Sequence, residues 1–291
     1  MGVHTFPAPR PASAQTSSLG YKLRFVVAPI VLVVIGLTLL LAPVMSTQYH
    51  NWQQTQAARA YSAEILQQEA AERTAEWESA QAWNALAPAP QAQDPWNSTT
   101  DHNTAEYQSY LEELNILPTM ARVRVPAVDI DLPVYHGTDE LTLAQGVGHL
   151  YGTDLPVGGV GTHAALTGHT GISTASLFDN LIDVSRGDLI AVDVLGETLT
   201  YRVTSIATVL PDNTESLRVD PNKDLLTLIT CTPYGINSHR LVVTGERVFG
   251  AELPAEPALK VQPWILLAVG LSAVIIIITF VWILRRLRGP Q

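Results

Sequence analysis

Two uncharged apolar runs bracket this chain of 291 residues, one from Phe25 to about Val44 and one from Trp264 to Leu284. About 20 residues of helix are enough to cross the hydrocarbon core of a bilayer. Neither run has room to be a core helix of a domain this size. Whatever folds between them is therefore tethered at both ends. Arg10, Lys22 and Arg24 precede the first run, and Arg285, Arg286 and Arg288 follow the second. Basic flanks stay in the cytoplasm, so both termini are expected there, with residues from about 46 to 262 outside. The first run is longer than a usual signal-peptide core and lacks an obvious small-residue cleavage site, which favours an uncleaved anchor over a cleaved signal. Pro29 and Pro43 lie near its ends, where a spanning helix tolerates them.

Those six flanking residues leave 11 of the 17 Lys and Arg for the outer segment, against all 27 Asp and Glu, a charge of about −16. That sign disfavours a nucleic-acid partner. The single cysteine, Cys231, cannot form an internal disulfide, so the exported part must be stabilised by its own core. A thiol outside the cell oxidises unless shielded. The eight histidines, at 4, 50, 102, 136, 149, 163, 169 and 239, make no metal-ligand spacing with that cysteine. Neither a metal nor a cofactor is expected.

Residues 1–24 read as a cytoplasmic tail, its first 20 positions rich in Pro, Ala, Ser and Thr, and 25–45 as the first span. From about Gln48 to Leu86 the chain is rich in Ala, Gln and Glu and fits a solvated or surface-packed helix, which Ala87-Pro88-Ala89-Pro90-Gln91 breaks. A shorter helix is expected from about Thr104 to Leu114, with Tyr107, Tyr110, Leu111 and Leu114 at helical spacing. From Ala121 the texture alternates. Arg122–Val125, Val128–Tyr135, His163–Leu166, Leu189–Val194, Leu199–Thr208, Leu225–Thr230 and Arg240–Val248 read as short strands separated by Gly and Pro clusters. A helical turn or two is expected near Thr174–Leu181. This pattern suggests a closed or sandwich β domain. Residues 46–119 then form a helical extension, 120–250 the β domain, 251–262 a linker, 263–284 the second span and 285–291 a basic tail.

The chemistry concentrates at Thr230-Cys231-Thr232-Pro233-Tyr234-Gly235-Ile236-Asn237-Ser238-His239-Arg240. A strand leads into the cysteine and another leads away from the arginine, so a thiol and a fixed cation face each other across a turn. That is how a nucleophilic cysteine can be built; a lone cysteine is otherwise a small buried hydrophobe. The nucleophile needs a proton partner and a group to steady the oxyanion. His163 and His169 are the candidates for the first role, and His169, at the end of its strand and between Gly168 and Gly171, is the better presented.

Thr167-Gly168-His169, the run Thr227–Gly235 and Asn237-Ser238-His239-Arg240-Leu241 resemble the signatures of sortases, the cysteine transpeptidases of Gram-positive surfaces. Gly137, Gly146–His149 and Leu155–Gly159 add to the resemblance, which covers about residues 120–250. Three features resemble class C, the pilus-assembling sortases: the form of the cysteine motif, a span at each end, and Asp94-Pro95-Trp96, which looks like the lid of that class within a loop at about 92–98. One departure is visible, since the family often has Arg-Gly-Leu-Pro after the histidine, where Thr170-Gly171-Ile172-Ser173 stands here.

The resemblance implies a mainly β fold, a closed sortase-type barrel of about eight strands with short helices. It implies Cys231 as nucleophile, His169 as acid and base, and Arg240 on the substrate or oxyanion. Asp94 would pair with Arg240, and Trp96 would cover Cys231. His163, Thr230, Thr232 and Asn237 are expected in supporting roles. The implied reaction cleaves an LPxTG-type motif between Thr and Gly and passes the acyl group to a lysine amine of another pilin subunit, at the membrane. The alternatives are anchoring of surface proteins to peptidoglycan, an exported cysteine protease, and a tethered β domain that binds a partner without chemistry.

Overall fold

The computed structural model describes residues 16–86, 93–96, 100–172, 174–253 and 263–288. The first residues of the tail, the break at 87–91, positions 92, 97 and 98 of the expected lid loop, most of the expected linker and the last three residues lie outside them. Two compact units are distinguished, Ser46–Lys260 and Met1–Met45 with Val261–Gln291. The second holds the apolar helical runs. Val27–Gln67 and Leu266–Arg285 are helical segments that each contain a stretch long and apolar enough to cross a membrane, with a mean hydropathy over 18 residues of 2.7 and 2.8.

The unit Ser46–Lys260 is built on eight strands: β1 Ala121–Val125, β2 Ile130–His136, β3 Val147–His149, β4 Thr162–Thr167, β5 Leu189–Val194, β6 Glu197–Val209, β7 Asp224–Thr232 and β8 His239–Arg247. They close into one barrel in the order β1-β2-β3-β4-β7-β8-β6-β5. Closure removes the unpaired edges that an open sheet of this size would expose. The alternation read in the sequence is the pleat of this barrel. Leu226, Leu228, Leu241 and Val243 point inward with Ala164 and Leu166, while Ala165 and Ile229 lie on the outer face.

Helix α1, Thr16–Glu64, runs from the apolar segment into the polar one without interruption. The sequence suggested one further helix to Leu86, but the chain breaks at Ile65–Gln67 and resumes as α2, Ala70–Leu86. The break has a packing cause. Ile65 is buried in the barrel core, and the Tyr61 hydroxyl donates to the Met120 carbonyl at 2.9 Å and accepts from the Leu195 amide at 2.9 Å. A straight helix would leave the barrel at this point, whereas the turn lays α2 back along it. There Arg73 reaches the Leu195 carbonyl, and Asn84 exchanges hydrogen bonds with the main chain of Leu155.

Helix α3, Ala105–Glu112, is capped by the Thr104 hydroxyl, which accepts from the Tyr107 amide. Tyr110 fixes this helix to the barrel. Its hydroxyl lies 2.9 Å from Nδ1 of His149 and accepts from the Gly137 amide at 3.0 Å. Burial holds His149 neutral, lowering its pKa to about 4. Two short elements were not read from the sequence, strand β3 and helix α4, Glu140–Gln145. Both are too short for a periodic pattern to register.

Candidate active site

The rim of the barrel is organised by the pairing of β4 with β7, which is parallel. Leu166 registers with Leu228 and Thr167 with Ile229. Parallel neighbours end at the same rim, so residues far apart in sequence emerge side by side. The ladder continues past the strand, since the Gly168 amide donates to the Ile229 carbonyl at 3.1 Å and the Thr230 hydroxyl to the Gly168 carbonyl at 2.7 Å. His169 follows one residue later, at the same rim where Cys231 lies near the end of β7. On the other side β8 runs antiparallel to β7, and Cys231 registers directly with Arg240. Three chain segments thus deliver sulfur, imidazole and guanidinium to one outer face.

The position of His169 is set from behind. Its carbonyl accepts from the Phe178 amide at 3.0 Å. The Phe178 ring lies so close to Gly168 that a Cβ there would meet it at 2.8 Å, which is why glycine precedes the histidine. The next two residues are held by Asp179, whose Oδ1 accepts from the Thr170 hydroxyl at 2.9 Å and the Gly171 amide at 2.8 Å. Threonine at 170, the departure noted above, therefore closes this loop from within.

The segment Gln93–Trp96 covers the site. Asp94 grips Arg240 with both oxygens, Nε donating to Oδ1 at 2.6 Å and Nη2 to Oδ2 at 2.9 Å. Both side chains are less than a tenth exposed. The remaining guanidinium nitrogen, Nη1, donates to the carbonyls of Asn237 and His239. Arg240 lies under the Trp96 ring, 4.7 Å from its centroid. Trp96 Nε1 donates to Nδ1 of His169 at 3.3 Å. An indole nitrogen can only donate, so Nδ1 offers a lone pair and the proton of the neutral ring is on Nε2. Trp96 also packs on the outer-face cluster of Leu150, Ala165 and Ile229. Asp94 and Pro95 line a groove together with apolar Ile229 and Val242, Arg240, and the polar side chains of Asn213, Thr214 and Ser216. The Thr138 hydroxyl donates to the Pro95 carbonyl at 3.4 Å.

The electrostatics of this covered state favour neutral groups. Burial pushes the Cys231 thiol above its ordinary pKa; Arg240 opposes the shift and Asp94 adds to it. Burial also lowers the pKa of His169, with Glu140 opposing. A thiol held up and an imidazole held down form a neutral pair. The ion pair between Asp94 and Arg240 is part of the cause, because the carboxylate cancels the cation that would stabilise a thiolate.

Residues 123–248 match the Sortase domain family. Sortase C-1 from Actinomyces oris is 53% identical over 60% of this chain and 98% of that one, with a TM-score of 0.59. A Sortase C structure from Streptococcus pneumoniae, reported for catalysis and pilin substrate specificity, is 36% identical over 70% of this chain and 100% of that one, with a TM-score of 0.60. The chain belongs to the sortase family. Its class C neighbours place it with that branch. A curated relative, Sortase A from Bacillus anthracis, is 33% identical over 44% of this chain and 60% of its own length. The chain spans about half to three-fifths of the length of the curated relatives it matches.

In this sortase the other expected site residues are distributed unevenly. Thr230 lies behind the rim, fastening β7 to Gly168. Thr232 registers with His239 at the start of the turn. Asn237, in the left-handed region at φ 58°, turns its carbonyl to Arg240. His163 lies at the opposite end of β4, where its ring bridges the Arg218 carbonyl and the Thr227 hydroxyl. It holds the loop before β7 and does not reach the rim. Asp179, Phe178 and Thr138 were not singled out in the sequence, where nothing marks them apart from ordinary loop and turn residues.

Proposed function

We propose that this chain is a membrane-anchored cysteine transpeptidase that joins pilin subunits. The observation that supports it is that β4, β7 and β8 bring His169, Cys231 and Arg240 to one rim, where Asp94 bonds Arg240 and Trp96 bonds His169. Opening the lid takes Asp94 from Arg240 and Trp96 from His169 in one movement. The guanidinium is then free to stabilise a thiolate and, later, an oxyanion, and the imidazole is free to exchange a proton.

In this reading the Cys231 thiolate attacks the Thr carbonyl of an LPxTG-type motif. The tetrahedral oxyanion forms beside Arg240. His169, which has taken the proton of the Cys231 thiol, gives it to the departing glycine amine, and the peptide bond breaks to leave a thioester on Cys231 and a neutral imidazole. A lysine amine of a second pilin attacks that thioester and gives its proton to His169. An isopeptide bond forms and the thiol is regenerated. The two apolar helices and their basic flanks support two spans with both termini cytoplasmic, which holds the enzyme beside membrane-tethered substrates. The class C neighbours, one of them reported for pilin substrate specificity, support pilin as the acceptor class.

The test mixes the full chain in detergent with purified pilin carrying an LPxTG-type motif. The expected product is a covalent ladder resistant to denaturant, with Thr–Lys isopeptide bonds found by mass spectrometry. Cys231→Ala reduces it at least about a thousandfold. Wall-linked monomer as the sole product would replace this reading with peptidoglycan anchoring. Release of the free acid alone would make the enzyme a protease.

A further inference from the structure

Thr167 is completely buried, and its hydroxyl has no hydrogen-bond partner. Buried polar groups are nearly always paired, because an unpaired one forfeits its hydration without return. A valine would fill the same volume at no such cost, so the hydroxyl calls for an explanation in another state of the molecule. Its place in the sheet supplies one. Thr167 shares the outer face of β4 with Ala165 on one side and His169 on the other, and it registers with Ile229 on β7. Trp96 bonds His169 and packs on the cluster that contains Ala165 and Ile229. The hydroxyl therefore lies under the lid, one pleat of the sheet below the pair of Cys231 and His169. One pleat is roughly 7 Å, the span of about two extended residues.

We infer that Thr167 is a substrate-binding residue, whose hydroxyl hydrogen-bonds the main chain of the sorting peptide about two residues from the scissile bond once the lid has opened. The inference rests on the transpeptidase reading above. The cluster of Leu150, Ala165 and Ile229 on this face is apolar and can meet apolar side chains. Thr167 adds a hydroxyl to the same face, in register with Ile229. With the lid closed it is left unpaired, and a bound peptide satisfies it, so the hydroxyl favours the occupied site over the covered one.

The experiment uses the full chain carrying Trp96→Ala, which uncovers the groove, and measures cleavage of an LPxTG peptide. Adding Thr167→Val is expected to lower kcat/KM about tenfold, carried by KM, since a binding interaction equal in ground and transition states is lost. Thr167→Ser, which keeps the hydroxyl, is expected to restore most of that loss. With the lid intact, Thr167→Val is expected to leave the thermal midpoint unchanged or raised, because it deletes an unpaired buried group. A merely structural role would move stability and activity together. Equal KM for the valine variant and its parent, or a serine variant as impaired as the valine one, overturns the inference alone. No cleavage by the Trp96→Ala parent overturns the transpeptidase reading, and the inference falls with it.

Discussion

Two buried arginines in this molecule make nearly the same contact and serve opposite ends. Arg122 on β1 holds Asp131 with Nε and Nη2 at 2.6 and 2.8 Å; Arg240 on β8 holds Asp94 at 2.6 and 2.9 Å. Arg122 and Asp131 sit on paired antiparallel strands, two residues out of register, so the sheet itself fixes both ends. Arg59 of α1 lies 3.5 Å from the same carboxylate, and Ser62 accepts from Arg122. Arg240 is equally fixed by the sheet, but Asp94 stands on a loop 146 residues away, with the Thr138–Pro95 hydrogen bond beside it. The local chemistry is matched and the mechanical support is not. A buried ion pair between two framework strands is a clamp; the same pair between a strand and a loop is a latch.

Breaking the clamp should be the more damaging change. Arg122→Ala removes both short hydrogen bonds to Asp131 and leaves the half-exposed Arg59 as its cation; it is expected to cost roughly 3 kcal/mol, a fall in thermal midpoint of about 6–12 °C. It should leave the rate of Cys231 labelling in the native protein unchanged; faster labelling would mean that the clamp and the latch are coupled. Acid probes a second fixed point, the attachment of α3. His149 folds neutral with its pKa lowered to about 4. Its contribution is therefore complete above about pH 6.5 and is lost as the pH falls through 4, about 3 kcal/mol in total. Hydrogen exchange in α3 should accelerate across that window, and a flat profile would remove His149 from the anchor.

Releasing the latch should cost little stability, because the loop can leave and Arg240 can hydrate. Asp94→Ala is expected to raise thiol labelling of Cys231 about tenfold at neutral pH. Its pH profile should move to lower pH, since burial under the lid and the Asp94 carboxylate both push the thiol up. Equal rates in variant and wild type would show that Asp94 holds nothing shut. The smallest effect is expected from Trp96→Phe, which keeps a ring over Arg240 and removes the N–H that occupies Nδ1 of His169. Labelling should rise about two- to threefold, and the His169 titration followed by NMR should move upward. An unchanged titration would assign the role of Trp96 to packing alone.

The strands were legible because they repeat every two residues and end in Gly or Pro. The thiol and its arginine were legible because one hairpin joins them. His169 was legible from its glycines and its family signature, and Asp94-Pro95-Trp96 from the signature alone. What escaped was held by contacts across the chain. Asp179 looks like an ordinary loop aspartate until Thr170 and Gly171 are seen bonding to it. Ile65 looks like part of an unbroken helix until the barrel core claims it. Thr167 reads as one letter of a motif, and only its burial without a partner singles it out.

Local pattern and composition determined, from the residues alone, two membrane-length apolar runs, a β domain between them and a cysteine facing an arginine across a turn. Periodicity, charge and turn chemistry are properties of neighbours along the chain, so they can be read there. The tertiary structure decided that β4 lies parallel to β7, and hence that an imidazole 62 residues before the cysteine emerges at the same rim. It also decided that a carboxylate 146 residues before Arg240 neutralises the cation on which the thiol depends. Both depend on which strands become neighbours when the barrel closes, and that is set by burying one common core.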